Sequence, residues 1–218
     1  MLLQLAIDRP ESFSVIPLVS DLVDIIEVGT PTLKRLGLAA ISTVRELAPE
    51  VPVLADTKTI DGGEQEADMV FNAGAMFMSV LTCAPPATVR ATSTVAARYG
   101  AYIVLDAIAG GFAEPAMATG LAQRCAYVVS HSSVDARTEG AAPVADHIAQ
   151  VSQFHQLGYR VALAGGISKR NLSAAVEAAP DVLVIGRAVT NARNPRRAVE
   201  WILERVPDRG HGWPWEPK

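Results

Sequence analysis

Three charged side chains close to one another, Asp56, Lys58 and Asp61, are the residues of this sequence best suited to chemistry. Asp56 and Lys58 are two residues apart, so they point to the same side of an extended backbone. Opposite charges at this spacing keep each other ionised in a partly dry site. The pattern predicts a reactive site at the end of a strand, although an ion pair that only stabilises a solvated strand end has the same spacing.

The flanking sequence indicates how these side chains are positioned. Residues 51–55 form a short apolar run typical of a buried strand. The pair Gly62-Gly63 allows a turn before a helical pattern that starts near Glu64. We therefore expect a strand, the charged residues, a turn and a helix, in this order.

The same alternation of strand and helix runs through the chain. Apolar runs that predict strands lie at 2–7, 24–28, 51–55, 77–81, 102–105, 127–130, 161–164 and 182–185. Amphipathic segments that predict helices lie at about 11–21, 33–47, 64–73, 86–99, 114–123, 143–157, 169–179 and 195–206. Apolar strands alternating with helices are typical of a parallel sheet covered by helices. Eight such units without a dinucleotide-binding fingerprint favour an α/β fold that is a single (β/α)8 TIM barrel, over residues 1–206, rather than an open doubly wound sheet. Residues 207–218 are expected to form a C-terminal extension.

Composition narrows the classes of function. The chain has 218 residues, 50% of them hydrophobic, and a net charge of −4, so it offers no basic field for nucleic acid or an anionic membrane. No signal peptide or membrane-spanning run is present, which predicts a cytoplasmic protein. Cys83 and Cys125 are far apart and in apolar surroundings, which predicts buried free thiols.

Polar residues follow nearly every predicted strand. In TIM barrels the chemistry lies where strands run into the following helices. The residues at these positions are Asp8, Glu27, Asp56, Lys58, Asp106, His131, Gly165, Gly166, Gly186 and Arg187. We therefore expect their side chains and main-chain groups to meet at one end of the barrel.

The glycines after strands seven and eight predict a phosphate site. Gly165-Gly166 and Gly186-Arg187 each precede a helix, where barrels commonly hold a phosphate with main-chain N–H groups. Arg187 adds charge-assisted hydrogen bonds to phosphate oxygens. Each glycine pair alone is also typical of a tight turn, but two of them at these strands favour a phosphate-ester substrate.

Two acids on neighbouring strands predict a metal site. Glu27 and Asp56 can converge on Mg²⁺, which suits one or two carboxylates completed by substrate oxygens and water. The other interpretation is that they pair with Lys58 and Arg9 and bind no metal. His131, at the end of strand six, is a candidate acid or base near neutral pH, although a histidine at this position can also be structural.

The segment from Asp56 to Asp61 resembles the Asp-x-Lys-x-x-Asp signature of the orotidine 5′-monophosphate decarboxylase superfamily. The wider pattern is similar to the group of 3-hexulose-6-phosphate synthases and 3-keto-L-gulonate-6-phosphate decarboxylases, from residue 2 to about 206. The blocks that carry this resemblance are residues 3–8, 26–31 and 55–64, His131 with Asp135 and Gly140, and residues 164–167 and 185–187.

This resemblance implies a (β/α)8 barrel that forms a homodimer with active sites at the subunit interface. It implies Mg²⁺ held by Glu27 and Asp56, and His131 as the acid or base. It places Asp8, Lys58 and Asp61 at the sugar phosphate, with Asp61 supplied by the neighbouring subunit. The remaining residues implied at the substrate are Asp106, Gly165, Gly166, Gly186 and Arg187.

The resemblance also leaves a choice of activity. Val134 stands where the decarboxylase pattern has an arginine, and Asp106 stands where it has a glutamate, so the synthase is favoured. The expected reaction is condensation of formaldehyde with D-ribulose 5-phosphate through an enediolate. The alternatives are decarboxylation of 3-keto-L-gulonate 6-phosphate and a barrel that binds a sugar phosphate without turning it over.

Overall fold

A closed barrel of parallel strands organises the computed structural model of this protein. The structure describes residues 1–108, 124–131, 133, 135 and 144–206. Eight strands follow one another around the barrel in chain order, and the first pairs with the last. They are β1 (Leu2–Ile7), β2 (Ile25–Val28), β3 (Val53–Thr59), β4 (Phe77–Leu81), β5 (Tyr102–Asp106), β6 (Cys125–His131), β7 (Val161–Ala164) and β8 (Val182–Ile185). The predicted TIM barrel is confirmed.

Helices connect the strands and cover the outside of the barrel. The described ones are a 3-10 helix (Pro10–Val15), α1 (Ile16–Val19), α2 (Thr30–Leu36), α3 (Ala39–Leu47), α4 (Gly63–Asn72), α5 (Pro86–Arg98), α6 (Val144–Gln156), α7 (Leu172–Glu177), α8 (Arg187–Thr190) and α9 (Pro195–Leu203). The single helix predicted at 33–47 is two helices, because Gly37 takes a φ of +64° and ends α2. The predicted helix at 114–123 and the extension at 207–218 lie outside the described residues.

Two apolar cores hold the barrel together. The larger one lies between the strands and the helices, and a smaller one fills the barrel interior. In the interior core the ring of Phe77 is fully buried, with its centroid 5.9 Å from that of Tyr102 and 6.2 Å from that of Tyr127. Burying one such aromatic side chain contributes about 1.5–3 kcal/mol. The packed interior therefore fills the barrel beneath the polar residues at the carboxyl ends of the strands.

Strand β3 departs from its predicted bounds. It begins at Val53 and continues to Thr59, past the apolar run at 51–55. Its pairing with β4 is regular up to Ala55 and resumes, in a shifted register, only at Thr59. Between them Lys58 has a φ of +51°, in the left-handed region that residues other than glycine rarely adopt. Asp56 and Lys58 thus lie in an irregular stretch of the strand rather than just after it.

The two cysteines differ from each other. Both are free, as expected. The prediction that both are buried is wrong for Cys83, which is exposed in the turn after β4. Cys125 is half-buried rather than fully buried, and desolvation raises the pKa of its thiol to about 12. Within the described ranges, no helix has both the length and the apolar character needed to cross a bilayer.

Candidate active site

A cavity of about 550 Å³ opens at the carboxyl ends of the strands. It brings together most of the predicted site residues, from seven of the strands and the turns that follow them. Those in its wall are Asp8, Glu27, Asp56, Lys58, Asp106, His131, Gly165, Gly166, Gly186 and Arg187. Asp61 is not in this wall; it is exposed in the turn before α4.

Lys58 lies between two carboxylates. Its Nζ atom donates to Oδ1 of Asp56 at 3.1 Å and to Oδ2 of Asp106 at 2.6 Å. Burial opposes the charge of this amine, but the two carboxylates outweigh that effect and raise the pKa of Lys58 above its ordinary value. The side chain is therefore a fixed positive charge at the cavity wall.

Asp106 connects Lys58 to His131. The carboxylate is almost fully buried, with 3% of the residue exposed, and its Oδ2 lies 3.6 Å from Nδ1 of His131. Its Oδ1 accepts a hydrogen bond from the main-chain N–H of Ile108 at 3.0 Å. Burial alone would raise the pKa of Asp106, but His131 and Lys58 lower it. An ionised Asp106 can therefore orient the imidazole, leaving Nε2 for a substrate.

Asp56 has donors on both of its carboxylate oxygens. Oδ1 accepts from the hydroxyl of Ser79 at 2.8 Å as well as from Lys58. Oδ2 lies 2.7 Å from the hydroxyl of Thr30, which is also 2.7 Å from the Asp56 carbonyl oxygen. A carboxylate has about four lone-pair sites, so Oδ2 keeps room for a further partner.

Glu27 is held from inside the barrel. Its Oε2 accepts from the side-chain amide of Gln4 at 2.5 Å, and Oε1 of Gln4 accepts from the hydroxyl of Tyr127 at 2.6 Å. Burial raises the pKa of Tyr127 well above its ordinary value, so its hydroxyl stays a donor. Burial, followed by the nearby charges of Asp56 and Asp8, raises the pKa of Glu27 to about 8.

Asp8 is a third carboxylate in the wall of the same cavity. It is open to the cavity, yet the surrounding wall partly desolvates it; this burial and the charge of Asp56 raise its pKa. Gly29 makes room for it, since a Cβ there would lie 2.3 Å from Oδ1 of Asp8. The charge of Asp56 contributes to the raised pKa of both Asp8 and Glu27, and a cation placed between these groups would offset that repulsion.

Mg²⁺ at Glu27 and Asp56 stays a prediction from the sequence, and both carboxylates line the cavity. Among the described residues, no three His, Cys, Asp or Glu side chains are grouped closely enough to hold a metal ion. Mg²⁺ does not require such a group, because it is commonly bound by one or two carboxylates with substrate and water completing the shell. Glu27 and Asp56 meet that requirement.

The turns after β7 and β8 form another part of the cavity wall. Gly165 and Gly166 have φ values of +93° and +74°, which residues with a side chain rarely adopt. Arg187 is exposed beside them and its charge acts on Asp8. Arg9, which the sequence offered as a partner for the acids, instead donates to Oδ1 of Asn191. This part of the wall is thus main chain and a guanidinium, which suits an anionic group.

Sequence reasoning missed the polar residues beneath the acids: Gln4, Thr30, Ser79 and Tyr127. A signal was present for Gln4, because it interrupts an apolar strand at the spacing that shares a face with Ala6 and Asp8. Ser79 likewise interrupts the apolar run at 77–81, whereas no signal marked Tyr127, whose residue type is common in strands.

Comparisons with known proteins identify the family of this chain. The chain matches the family described as "Orotidine 5'-phosphate decarboxylase / HUMPS family" over residues 1–202. It is 31% identical to a 3-hexulose-6-phosphate synthase of Methylomonas aminofaciens, over 92% of this chain and 97% of that protein. It is 33% identical to a bifunctional Fae/Hps enzyme of Methanococcoides burtonii over 93% of this chain, which spans 52% of that relative.

Solved structures of enzymes with related names are also similar to this chain. The 3-hexulose-6-phosphate synthase of Salmonella typhimurium is 34% identical, with a TM-score of 0.83 over 94% of this chain and 98% of that one. The 3-keto-L-gulonate-6-phosphate decarboxylase of Vibrio cholerae is 27% identical, with a TM-score of 0.79 over 98% of this chain and 99% of that one. The fold and the family model agree, and the chain belongs to the orotidine 5′-phosphate decarboxylase / HUMPS family.

Proposed function

We propose that this protein is a 3-hexulose-6-phosphate synthase, which joins formaldehyde to D-ribulose 5-phosphate to give arabino-3-hexulose 6-phosphate. The observation that carries the proposal is the array of Lys58, Asp106 and His131 beside a carboxylate group, within one cavity. Relatives named for this activity, with about 30% identity over most of the chain, support it.

The reaction begins with removal of a proton from C1 of the sugar phosphate. His131 is the base, and Asp106 fixes its ring by facing Nδ1. The resulting enediolate carries negative charge on the oxygens of C1 and C2. Lys58 lies beside these oxygens and stabilises the charge through a cation already in place before the reaction.

Carbon–carbon bond formation follows at the same carbon. C1 of the enediolate attacks the carbon of formaldehyde, and the former formaldehyde oxygen takes up a proton. The former C2 becomes the carbonyl carbon at C3 of the hexulose. No redox reagent is needed, because the two substrates together contain every atom of the product.

Glu27 and Asp56 would hold Mg²⁺ at this site. When bound, the ion supplies positive charge that offsets the charge developing on the enediolate oxygens. Gln4 orients Glu27, and Thr30 and Ser79 orient Asp56, so both carboxylates face the cavity in fixed positions. The phosphate of the substrate lies on the main chain at Gly165, Gly166 and Gly186 and on Arg187.

A homodimer completes the proposed site. Asp61 is exposed and lies outside the wall of its own cavity, in the turn between β3 and α4. We propose that it reaches the site of the neighbouring subunit, where its carboxylate fixes the direction of Lys58.

A paired assay tests the proposed activity. Purified protein is given formaldehyde with D-ribulose 5-phosphate, with and without Mg²⁺, and separately 3-keto-L-gulonate 6-phosphate. We expect formaldehyde consumption only when both the sugar phosphate and Mg²⁺ are present, with loss of activity after chelation. Formaldehyde left unconsumed under these conditions would contradict the proposal.

Decarboxylation of 3-keto-L-gulonate 6-phosphate is the second candidate. Similarity to the Vibrio cholerae decarboxylase over 98% of this chain supports it, and both reactions pass through an enediolate. Release of CO₂ from the keto-gulonate ester at a higher kcat/KM than formaldehyde consumption would favour this activity over the synthase.

A further inference from the structure

The irregular stretch of β3 is held in place by Ser79 of the neighbouring strand β4. Between Ala55 and Thr59 the regular pairing with β4 is broken. The main-chain N–H of Lys58 donates instead to the hydroxyl oxygen of Ser79, at 2.8 Å. The hydroxyl of Thr57 donates to the carbonyl oxygen of Ser79 at 2.7 Å. Ser79 thus replaces strand pairing at the point where Lys58 has its left-handed backbone.

The hydroxyl of Ser79 also forms a hydrogen bond with the carboxylate of Asp56. Ser79 donates its hydrogen to Oδ1 of Asp56 at 2.8 Å while its oxygen accepts from Lys58. The residue is 2% exposed, so water does not replace either bond readily. One buried hydroxyl therefore joins the main chain of Lys58 to the side chain of Asp56.

We propose that Ser79 is a positioning residue for Lys58 and Asp56, and this role rests on the proposed function of their site. A left-handed φ is unfavourable for lysine and persists only where the surroundings impose it. In the observed conformation Nζ of Lys58 reaches both Asp56 and Asp106. Without the hydroxyl, the N–H of Lys58 and Oδ1 of Asp56 each lose a buried partner, and the backbone is free to relax.

The chain offers a matched control in Ser130. This residue is fully buried on β6, and its hydroxyl lies 3.0 Å from the carbonyl oxygen of His147 and 2.9 Å from Oε1 of Gln150, both on α6. Ser79→Ala and Ser130→Ala each remove one buried, hydrogen-bonded hydroxyl from a strand. They differ in that only Ser79 contacts the charged residues of the cavity.

Steady-state kinetics with formaldehyde and D-ribulose 5-phosphate provide the first test. For Ser79→Ala we expect kcat to fall about 10- to 100-fold, because small displacements of catalytic groups have effects of this size. Ser79→Thr, which keeps the hydroxyl, should restore most of kcat, and Ser130→Ala should leave kcat near the wild-type value. An unchanged kcat in Ser79→Ala, or an equal loss in Ser130→Ala, would overturn the proposal.

Acetylation of lysines by acetic anhydride, followed by mass spectrometry, provides a test that does not need activity. Lys58 is mostly buried, with 24% of its side chain exposed, and is held by two carboxylates, whereas Lys34 and Lys169 are exposed references. In Ser79→Ala we expect Lys58 to react several times faster relative to these references, with no change in Ser130→Ala. Equal protection of Lys58 in wild type and Ser79→Ala would overturn the role of Ser79. If the wild-type protein turns over neither formaldehyde with D-ribulose 5-phosphate nor 3-keto-L-gulonate 6-phosphate, the proposed function is wrong. The acetylation rates still decide whether Ser79 positions Lys58.

Discussion

The two ends of the barrel interior are built from the same strands but differ in chemistry. On β2 the interior face carries Ile25 and then, two residues on, Glu27; on β5 it carries Tyr102 and then, four residues on, Asp106. Residues of one end pack as a buried apolar core, and those of the other end line a cavity. Because every second side chain of a strand faces the barrel interior, each strand can contribute residues to both ends.

The difference shows which end is shaped by folding and which by function. Aromatic packing around Phe77 stabilises the barrel, whereas Asp8 and Glu27, whose pKa values are raised by burial and by the charge of Asp56, oppose folding when they are ionised. A protein selected for stability alone would not group these acids. The charged end is therefore the end that we propose to be functional, and substitutions at the two ends should separate activity from stability.

The largest effect on activity is expected for Lys58→Ala. The substitution removes the cation beside the developing negative charge and the hydrogen-bond donor to Asp106. We expect kcat/KM for the synthase reaction to fall by at least about 10³-fold. Lys34→Ala, at an exposed position on α2, is the control and should keep wild-type kinetics. Activity of Lys58→Ala within tenfold of wild type would contradict a catalytic role.

The opposite outcome is expected for Phe77→Ala at the apolar end. This side chain is fully buried, so its removal leaves a cavity between Tyr102 and Tyr127. The free energy of unfolding, measured by urea denaturation, should fall by about 3–5 kcal/mol. Under conditions where the variant stays folded, kcat should remain near the wild-type value. A large loss of kcat in fully folded protein would show that the two ends are not separable.

Mixing variants tests whether the charged end needs a second subunit. Asp61→Ala and Lys58→Ala are expected to be inactive alone. If Asp61 acts in the partner's site, each heterodimer has one site with both lesions and one with neither, so about half of its sites recover. Activity after subunit exchange is compared with that of wild type diluted to the same heterodimer concentration. No recovery, once exchange has been verified by native mass spectrometry, would place Asp61 in the same site as its own Lys58.

A smaller effect is expected on thermal stability, which should depend on pH and on added Mg²⁺. The raised pKa of Glu27, about 8, means that the metal-free folded protein binds a proton that the unfolded chain releases near pH 4.5. This protonation contributes stability at low pH that is lost as pH rises toward 8. Because Mg²⁺ competes with the same proton, the increase in Tm on adding Mg²⁺ should grow between pH 6 and pH 8.

Glu27→Gln is the control for this prediction. The amide keeps the size of the side chain but does not titrate, so the Mg²⁺-dependent increase in Tm should be small at every pH. A wild-type Mg²⁺ effect that is constant across this range would contradict proton-linked binding at Glu27.

Much of the fold could be predicted from the sequence because apolar strands and amphipathic helices leave strong periodic signals. Strand ends such as Asp8, Glu27 and His131 could be predicted for the same reason, since barrel strands all deliver their carboxyl ends to one face. The backbone at Lys58 could not, because polar residues 56–59 do not look like a strand and nothing local indicates a left-handed φ. Gln4 and Tyr127 were missed because their pairing depends on strands that are far apart in sequence.

Exchange of the C1 hydrogen of D-ribulose 5-phosphate with solvent tests most directly whether the charged end removes this proton. The sugar phosphate is incubated with enzyme and Mg²⁺ in D₂O without formaldehyde, and the C1 proton signals are followed by NMR. We expect one C1 hydrogen to exchange, with exchange abolished in His131→Ala. His155→Ala, which alters an exposed imidazole 2.9 Å from Asp181, should exchange as wild type does. Formation of the hexulose phosphate by an enzyme that shows no exchange, or wild-type exchange in His131→Ala, would contradict proton removal by His131.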